Sequence, residues 1–222
     1  MDKLLEAYSG DKARGYDARR SSSKRWKREV AAMETMLAEA HPGTVLDCPF
    51  GTGRWVEQYE AIGANVVGID LSQGMLDEAA TKIATLPPER QAAYSLLCDS
   101  IFDLNPAPGP APDLTVCIRF LNWVEFADAE RALERLTALG SPEMIIGASL
   151  VPEASGPLRQ LWYRLSLGLI NLRGRNRPQQ HVHPEAAFLT VLQRLGWRVA
   201  DRREIMRRNA RVNYFFRLER AL

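Results

Sequence analysis

The chain has 222 residues, 46% of them hydrophobic and 25% charged, with a formal net charge of +2. That length and balance suit one globular domain with a sizeable core, exclude a disordered chain, and give no general attraction to nucleic acid. The three cysteines, Cys48, Cys98 and Cys117, show no C-x-x-C spacing, which argues against a disulfide framework or a metal site and suits a reducing cytoplasm.

Residues 1–23 are polar and carry Tyr8, Tyr16, Arg14, Arg19 and Arg20, with no apolar stretch of the signal-peptide kind. A helix follows through "SSSKRWKREVAAMETMLAEA", with Ser23 as its cap and Pro42-Gly43 at its end. From Thr44 an alternation begins. "TVLDC" reads as a strand, "GRWVEQYEAIG" as a helix closing on Gly63, and "NVVGID" as a second strand. "SQGMLDEAATKIATL" reads as a helix capped by Ser72, with Pro87-Pro88 beyond its end. "AAYSLLCD" is a third strand, "NPAPGPAP" a loop, "DLTVCIRF" a fourth strand, "DAERALERLTALG" a helix and "EMIIGAS" a fifth strand.

Beyond Ser149 the rhythm changes. "GPLRQLWYRLSLGLINL" reads as a helix and "RGRNRPQQHVH" as a basic irregular stretch. "PEAAFLTVLQRLG" is a helix with Pro184 at N1 and Gly196 at C′, and "WRVADRREI" and "RVNYFFRLE" form a closing pair of strands. Leu161–Leu172, the most apolar segment, is too short to span a bilayer and contains Arg164. The expected fold is α/β, doubly wound, with a seven-stranded mostly parallel sheet and an antiparallel last strand. One domain covers 1–222. Within it, 1–42 form an N-terminal cap and helix, 43–150 a core, 151–183 a helix and basic loop that suit a lid, and 184–222 a helix and strand hairpin.

The first strand runs into "DCPFGTGR", Asp47 to Arg54, a glycine turn leading into a helix. A dinucleotide turn needs G-x-G-x-x-G, but its third glycine falls on Val56 or Arg54 in the two registers available. No G-K-[ST] follows, so a P-loop fails too. What Asp47-Cys48-Pro49-Phe50-Gly51-Thr52-Gly53 resembles is motif I of the class I S-adenosylmethionine-dependent methyltransferases, D-x-G-x-G-x-G, with Pro49 at the departure. The resemblance continues through Asp70 at the end of the second strand, Asp99-Ser100-Ile101 at the end of the third, and "RFLNWV" after the fourth. It covers residues 40–150 closely and the remainder by topology.

The resemblance implies S-adenosylmethionine as cofactor and S-adenosylhomocysteine as product. It implies a cofactor site of Asp47, Pro49, Gly51, Gly53, Asp70, Leu71, Asp99, Ser100, Ile101 and Arg119. Asp47 would face the amino group of the methionyl end, Asp70 the ribose hydroxyls and Asp99 the adenine amino group. Methyl transfer from a sulfonium rests on alignment, and a base matters only for a protonated nucleophile. The candidates on the reacting side are Arg119, Asn122, His181 and Tyr16. Arg119 suits an acidic acceptor, or a plain salt bridge. His181 suits a base, or a structural contact before a helix. Tyr16 belongs to a segment that would close over the cofactor, or to a loose terminus.

The fourth motif is not N/D-P-P-Y and holds no Pro-Cys pair, which disfavours nucleic-acid bases as acceptors. A small-molecule or glycan- or lipid-linked acceptor is expected, an anionic one among the options. The arginines 173, 175 and 177 beside the apolar helix leave peripheral membrane contact open. A non-catalytic cofactor-binding module and a nicotinamide oxidoreductase stand as alternatives.

Overall fold

The structure is a computed structural model that describes residues 23–105, 111–152, 180–208 and 210–221. Helix α1 (Lys24–Ala40) starts where Ser23 accepts a hydrogen bond from the Trp26 N–H, and ends on His41 in the left-handed region. Strand β1 (Thr44–Asp47) leads through the glycine turn to α2 (Val56–Ile62). Then come β2 (Asn65–Asp70), α3 (Gln73–Ile83), α4 (Pro88–Gln91), β3 (Tyr94–Cys98) and β4 (Leu114–Cys117). A 3₁₀ turn (Leu121–Trp123) precedes α5 (Phe126–Ala138) and β5 (Glu143–Val151). The described chain resumes with β6 (His183–Pro184), α6 (Glu185–Arg194), β7 (Trp197–Arg208) and β8 (Arg211–Arg220).

The strands form one sheet in the order β3-β2-β1-β4-β5-β8-β7, with β6 against the end of β5. β1 to β5 run parallel, and β8 lies antiparallel to both β5 and β7. This is the doubly wound, mostly parallel sheet with an antiparallel last strand read from the sequence. Period-two alternation makes both faces apolar. Val45, Ile145 and Phe215 point to one face, where Met33 and Met36 of α1, Tyr59 of α2 and Ala79 of α3 cover them. Leu46, Ile146 and Phe216 point to the other, under Leu133 of α5 and Phe188 of α6.

Several boundaries differ from the sequence reading. The fourth strand stops at Cys117, short of "IRF", because Arg119 turns to φ 62, outside the strand region. The helix after the glycine turn starts at Val56, because residues 51–55 are turns. Pro184 is the N-cap of α6, not its first helical residue. The short elements α4 and β6 were not anticipated; both are too brief to show a periodicity. The helix expected over "GPLRQLWYRLSLGLINL" and arginines 173, 175 and 177 lie outside the described residues. No described helix is long and apolar enough to cross a membrane.

Candidate active site

β1 to β4 end together, and there a cavity of about 500 Å³ opens. Carboxyl ends of parallel strands, where helices depart to opposite faces, leave such crevices in doubly wound sheets. Eight of the residues singled out in the sequence meet on its walls: Pro49, Gly51, Asp70, Leu71, Ser100, Ile101, Arg119 and Asn122.

The glycine turn forms one wall. It is anchored by Cys48 N–H to the Val116 carbonyl (2.9 Å) and Phe50 N–H to the Ile69 carbonyl (2.8 Å). The Cys48–Pro49 peptide is cis. Gly51 sits at φ 60 with open space where a Cβ would be, so the backbone itself faces the cavity. Gly53, at φ 66, does a different job. A Cβ there would come within 3.0 Å of Val56, so this glycine lets α2 and α3 close behind the turn. Lys82 donates to the Gly53 carbonyl at 2.9 Å.

Asp70 joins the turn to the end of β2. Its carboxylate accepts from the Gly51 N–H at 2.8 Å and the Ser72 N–H at 2.9 Å. Burial raises its pKa while those two bonds pull it down. Each carboxylate oxygen still has a lone pair to offer. Leu71, Ile101 and Phe102 make the wall beside it apolar. Asp99 itself is exposed, lies outside the lining, and accepts from the Ser100 N–H at 2.7 Å.

Asp47 lies behind the turn, 1% exposed, and not on the cavity wall. Tyr59 donates its hydroxyl to one carboxylate oxygen at 2.9 Å, and the other oxygen has no partner. Burial pushes this carboxyl up to about 8. The Tyr59 bond works against that shift and nearby Asp70 adds to it. An orphaned buried oxygen of this kind is a standing demand for a hydrogen-bond donor.

The far end of the cavity is basic. Arg25, Arg54 and Arg119 line it, and Glu29 of α1 lies behind them at 0% exposure. Glu29 accepts from Arg25 Nε at 2.8 Å and Arg119 Nη2 at 2.6 Å, with Arg54 Nη1 2.6 Å away. Burial alone would raise its pKa, but Arg119, Arg54 and Arg25 outweigh this and hold it at about 2. Arg54 is stacked between the rings of Trp26 (3.8 Å) and Trp55 (4.2 Å). Arg119 Nε and Nη1 are buried without hydrogen-bond partners.

Asn122 rides on the 3₁₀ turn, 7% exposed, and no described residue bonds its side-chain amide. Its turn is held from behind. The His181 N–H donates to the Asn122 carbonyl at 2.8 Å, and His183 Nε2 donates to the Leu121 carbonyl at 2.6 Å. His183 is buried against Phe126 and Phe188, and burial lowers its pKa. Neither histidine lines the cavity. Tyr16, the remaining candidate, lies outside the described residues.

The sequence reading missed Glu29, Arg25, Arg54 and Gln180 as site residues. Glu29 did carry a signal. It shares the apolar stripe of α1 with Met33 and Met36, and a charge there needs a buried partner.

A family model described as "Methyltransferase domain" matches residues 45–143, the segment that builds the glycine turn, Asp70 and the strand ends. Over this segment the chain is similar to methyltransferase domains, the resemblance that its glycine turn carries. A curated relative, malonyl-[acyl-carrier protein] O-methyltransferase of Yersinia pestis, is 28% identical over 155 residues. That match covers 69% of this chain and 52% of the relative, so the chain spans about half the relative's length. Among solved structures, magnesium protoporphyrin IX methyltransferase from Synechocystis PCC 6803, with S-adenosylhomocysteine bound, superposes with a TM-score of 0.69 at 20% identity. The match covers 99% of this chain and 93% of that one. The [4+2]-cyclase SpnF superposes with a TM-score of 0.65 at 14% identity, covering 89% of this chain and 83% of its own. These likenesses are of fold, and a cyclase among them shows that the fold alone does not fix the reaction.

The cofactor of the family is S-adenosylmethionine, and this chain fits it. Gly51 leaves room for close backbone approach, Leu71 and Ile101 offer an apolar slot, and the Asp47 oxygen just behind the turn lacks a donor.

Proposed function

We propose that the protein transfers a methyl group from S-adenosylmethionine to a small-molecule acceptor bearing a carboxylate. Bound S-adenosylmethionine supplies the methyl group on a sulfonium with a good leaving group. The chain's own residues bind, orient and exclude water. In this reading Asp70 accepts from the ribose hydroxyls, Leu71, Ser100 and Ile101 flank the adenine, and the turn at Pro49 and Gly51 takes the methionyl end. Asp99 then serves chiefly to shape the turn after β3, through its bond to the Ser100 N–H.

The observation that carries the acceptor class is the pairing of Arg119 and Asn122. Arg119 holds two buried donors without a hydrogen-bond partner, no described residue bonds the Asn122 amide, and both residues line the cavity. Guanidinium and amide donors together match a carboxylate. Among the described residues, the ionisable lining side chains are Asp70, Cys48 and the arginines, and burial first of all raises the Cys48 thiol well above its ordinary value. A carboxylate is already deprotonated at neutral pH and needs no base from that set. The Yersinia relative's name supports the same class, since a malonyl thioester keeps one free carboxylate. His181 then acts as a backbone anchor for the turn carrying Asn122. The glycan- or lipid-linked class rested on residues 157–179, which lie outside the described residues.

The test is transfer of labelled methyl from S-adenosylmethionine to a panel of carboxylic acids and their amides. The expected product is a methyl ester, which releases volatile labelled methanol in alkali. Label that survives alkali would place the methyl on another atom and end the carboxylate reading.

A further inference from the structure

Glu29 and its arginines are more than an ordinary structural ion pair. Such pairs persist in a core when charges balance and donors are satisfied. Here, among the described residues, one carboxylate touches three guanidinium groups, and two buried donors of Arg119 have no hydrogen-bond partner. Arg119 also holds φ 62, a conformation that costs a non-glycine residue about 1–2 kcal/mol. The cluster comes from three separate places, the first turns of α1, the glycine turn and the end of β4, and all three arginines reach the cavity wall. Glu29 is enclosed behind that wall.

We propose that Glu29 is an internal anion. Its carboxylate fills part of an arginine subsite that otherwise takes a ligand carboxylate, and so sets how strongly an incoming anion must bind to be accepted. Glu29 holds Arg119 by Nη2, while Nε and Nη1 are buried without a hydrogen-bond partner. It satisfies the cluster enough for the empty protein to fold. It also competes with a weak anion, because both draw on the same three positive charges. Neutralising Glu29 therefore tightens anion binding. The inference rests on the carboxylate reading above. The ligand carboxylate has two sources, the acceptor or the methionyl end of the cofactor, and the experiment separates them.

The probe is malonate, with malonamide as its uncharged control, titrated calorimetrically into the full chain at constant ionic strength. One series is saturated with 5′-methylthioadenosine, which lacks the methionyl end, and the other with S-adenosylhomocysteine. The wild type is expected to bind malonate weakly and malonamide not at all. Glu29→Gln is expected to bind malonate at least tenfold more tightly, and Arg119→Gln to lose it. Should Glu29→Gln not fold, Glu29→Asp keeps the charge but withdraws it by one methylene, and a gain of a few-fold is expected. Equal malonate affinity in the wild type and in the folded Glu29 variant overturns the inference, as does equal binding of malonate and malonamide. Binding that survives with 5′-methylthioadenosine but not with S-adenosylhomocysteine upholds the internal anion and assigns the subsite to the cofactor, overturning the acidic-acceptor reading. Binding in both series upholds both. Methyl transfer is scored separately, so its failure does not mimic either result.

Discussion

At one end of the cavity, main chain and short-range contacts do the work. Gly51 presents its backbone, and Asp70 ties the glycine turn to Ser72, a neighbour only two residues away. At the other end, Glu29 gathers Arg25, Arg54 and Arg119, and Arg119 is 90 residues distant in sequence. The first end is a local motif, in which spacing and backbone geometry almost determine position. The second is assembled by the tertiary fold, and its residues carry no spacing rule. A family can keep the first while the second changes with the acceptor, which is where specificity belongs.

The sharpest way to break this contrast is at Asp70. Asp70→Ala removes both the acceptor proposed for the ribose hydroxyls and the brace of the glycine turn. Affinity for S-adenosylhomocysteine is expected to fall on the order of 100-fold, in line with lost charge-assisted bonds of about 1.5–3 kcal/mol each. Calorimetry on the folded variant reads it, and a loss under threefold would show that the nucleoside end is not where Asp70 lies.

The two glycines of the turn separate affinity from stability. Gly53→Ala must fit a Cβ 3.0 Å from Val56 at φ 66. It is expected to cost about 2 kcal/mol of stability, from left-handed strain plus crowding. Gly51→Ala meets no neighbour, so its stability cost is about 1 kcal/mol, while its methyl enters the cavity and weakens cofactor binding. Thermal melts and calorimetry on both variants check the ordering. Equal losses of affinity would mean that both glycines face the ligand.

A pH-dependent effect is expected from Asp47. Its carboxyl titrates at about 8 in the fold, against an ordinary value of 3.8. Between those values the folded state holds a proton that the unfolded state has released. Asp47 therefore lowers the stability of the ligand-free protein as pH rises from about 4 to about 8. Below about 4 both states are protonated and the dependence ends. Melting the wild type and Asp47→Asn across that range checks it, with a flatter profile expected for the variant. A positively charged amino group near the unpartnered oxygen favours the carboxylate, so saturating S-adenosylhomocysteine is expected to flatten the wild-type profile too.

The least effect belongs to the rim. Arg131 and Asp128 pair at 3.4 Å while both are about half exposed. Arg131→Ala is expected to move stability by no more than about 0.5 kcal/mol and to leave cofactor affinity unchanged. A larger change in a urea melt would mean that this pair, or the contact of Arg131 with the Phe102 ring at 4.4 Å, matters more than solvent screening allows.

The same contrast explains how much the sequence disclosed. The strand–helix alternation, the caps at Ser23 and Ser72 and the acid ending β2 follow from local rules, and the structure has each in place. Asp47 was legible as a residue but not as a geometry. Nothing in "TVLDC" says that Tyr59, twelve positions on, will take one of its oxygens and bury it. "DLTVCIRF" reads as one strand because all but two of its residues are apolar or β-branched, yet Arg119 leaves the strand to reach Glu29. A tertiary ion pair overrode local propensity there. His181 looked like chemistry because imidazole titrates near neutrality. In the fold, the His181 main chain and the His183 ring hold the turn that carries Asn122.

The central claim is that this cavity holds a phosphate-free nucleoside, with Asp70 at its ribose and backbone at its methionyl end. Calorimetric titration of the wild-type chain with S-adenosylhomocysteine and with NAD, side by side, tests it most directly. The account predicts saturable one-to-one binding of S-adenosylhomocysteine and none of NAD at the same concentrations. Preference for NAD, or no binding of S-adenosylhomocysteine by the folded protein, would contradict it.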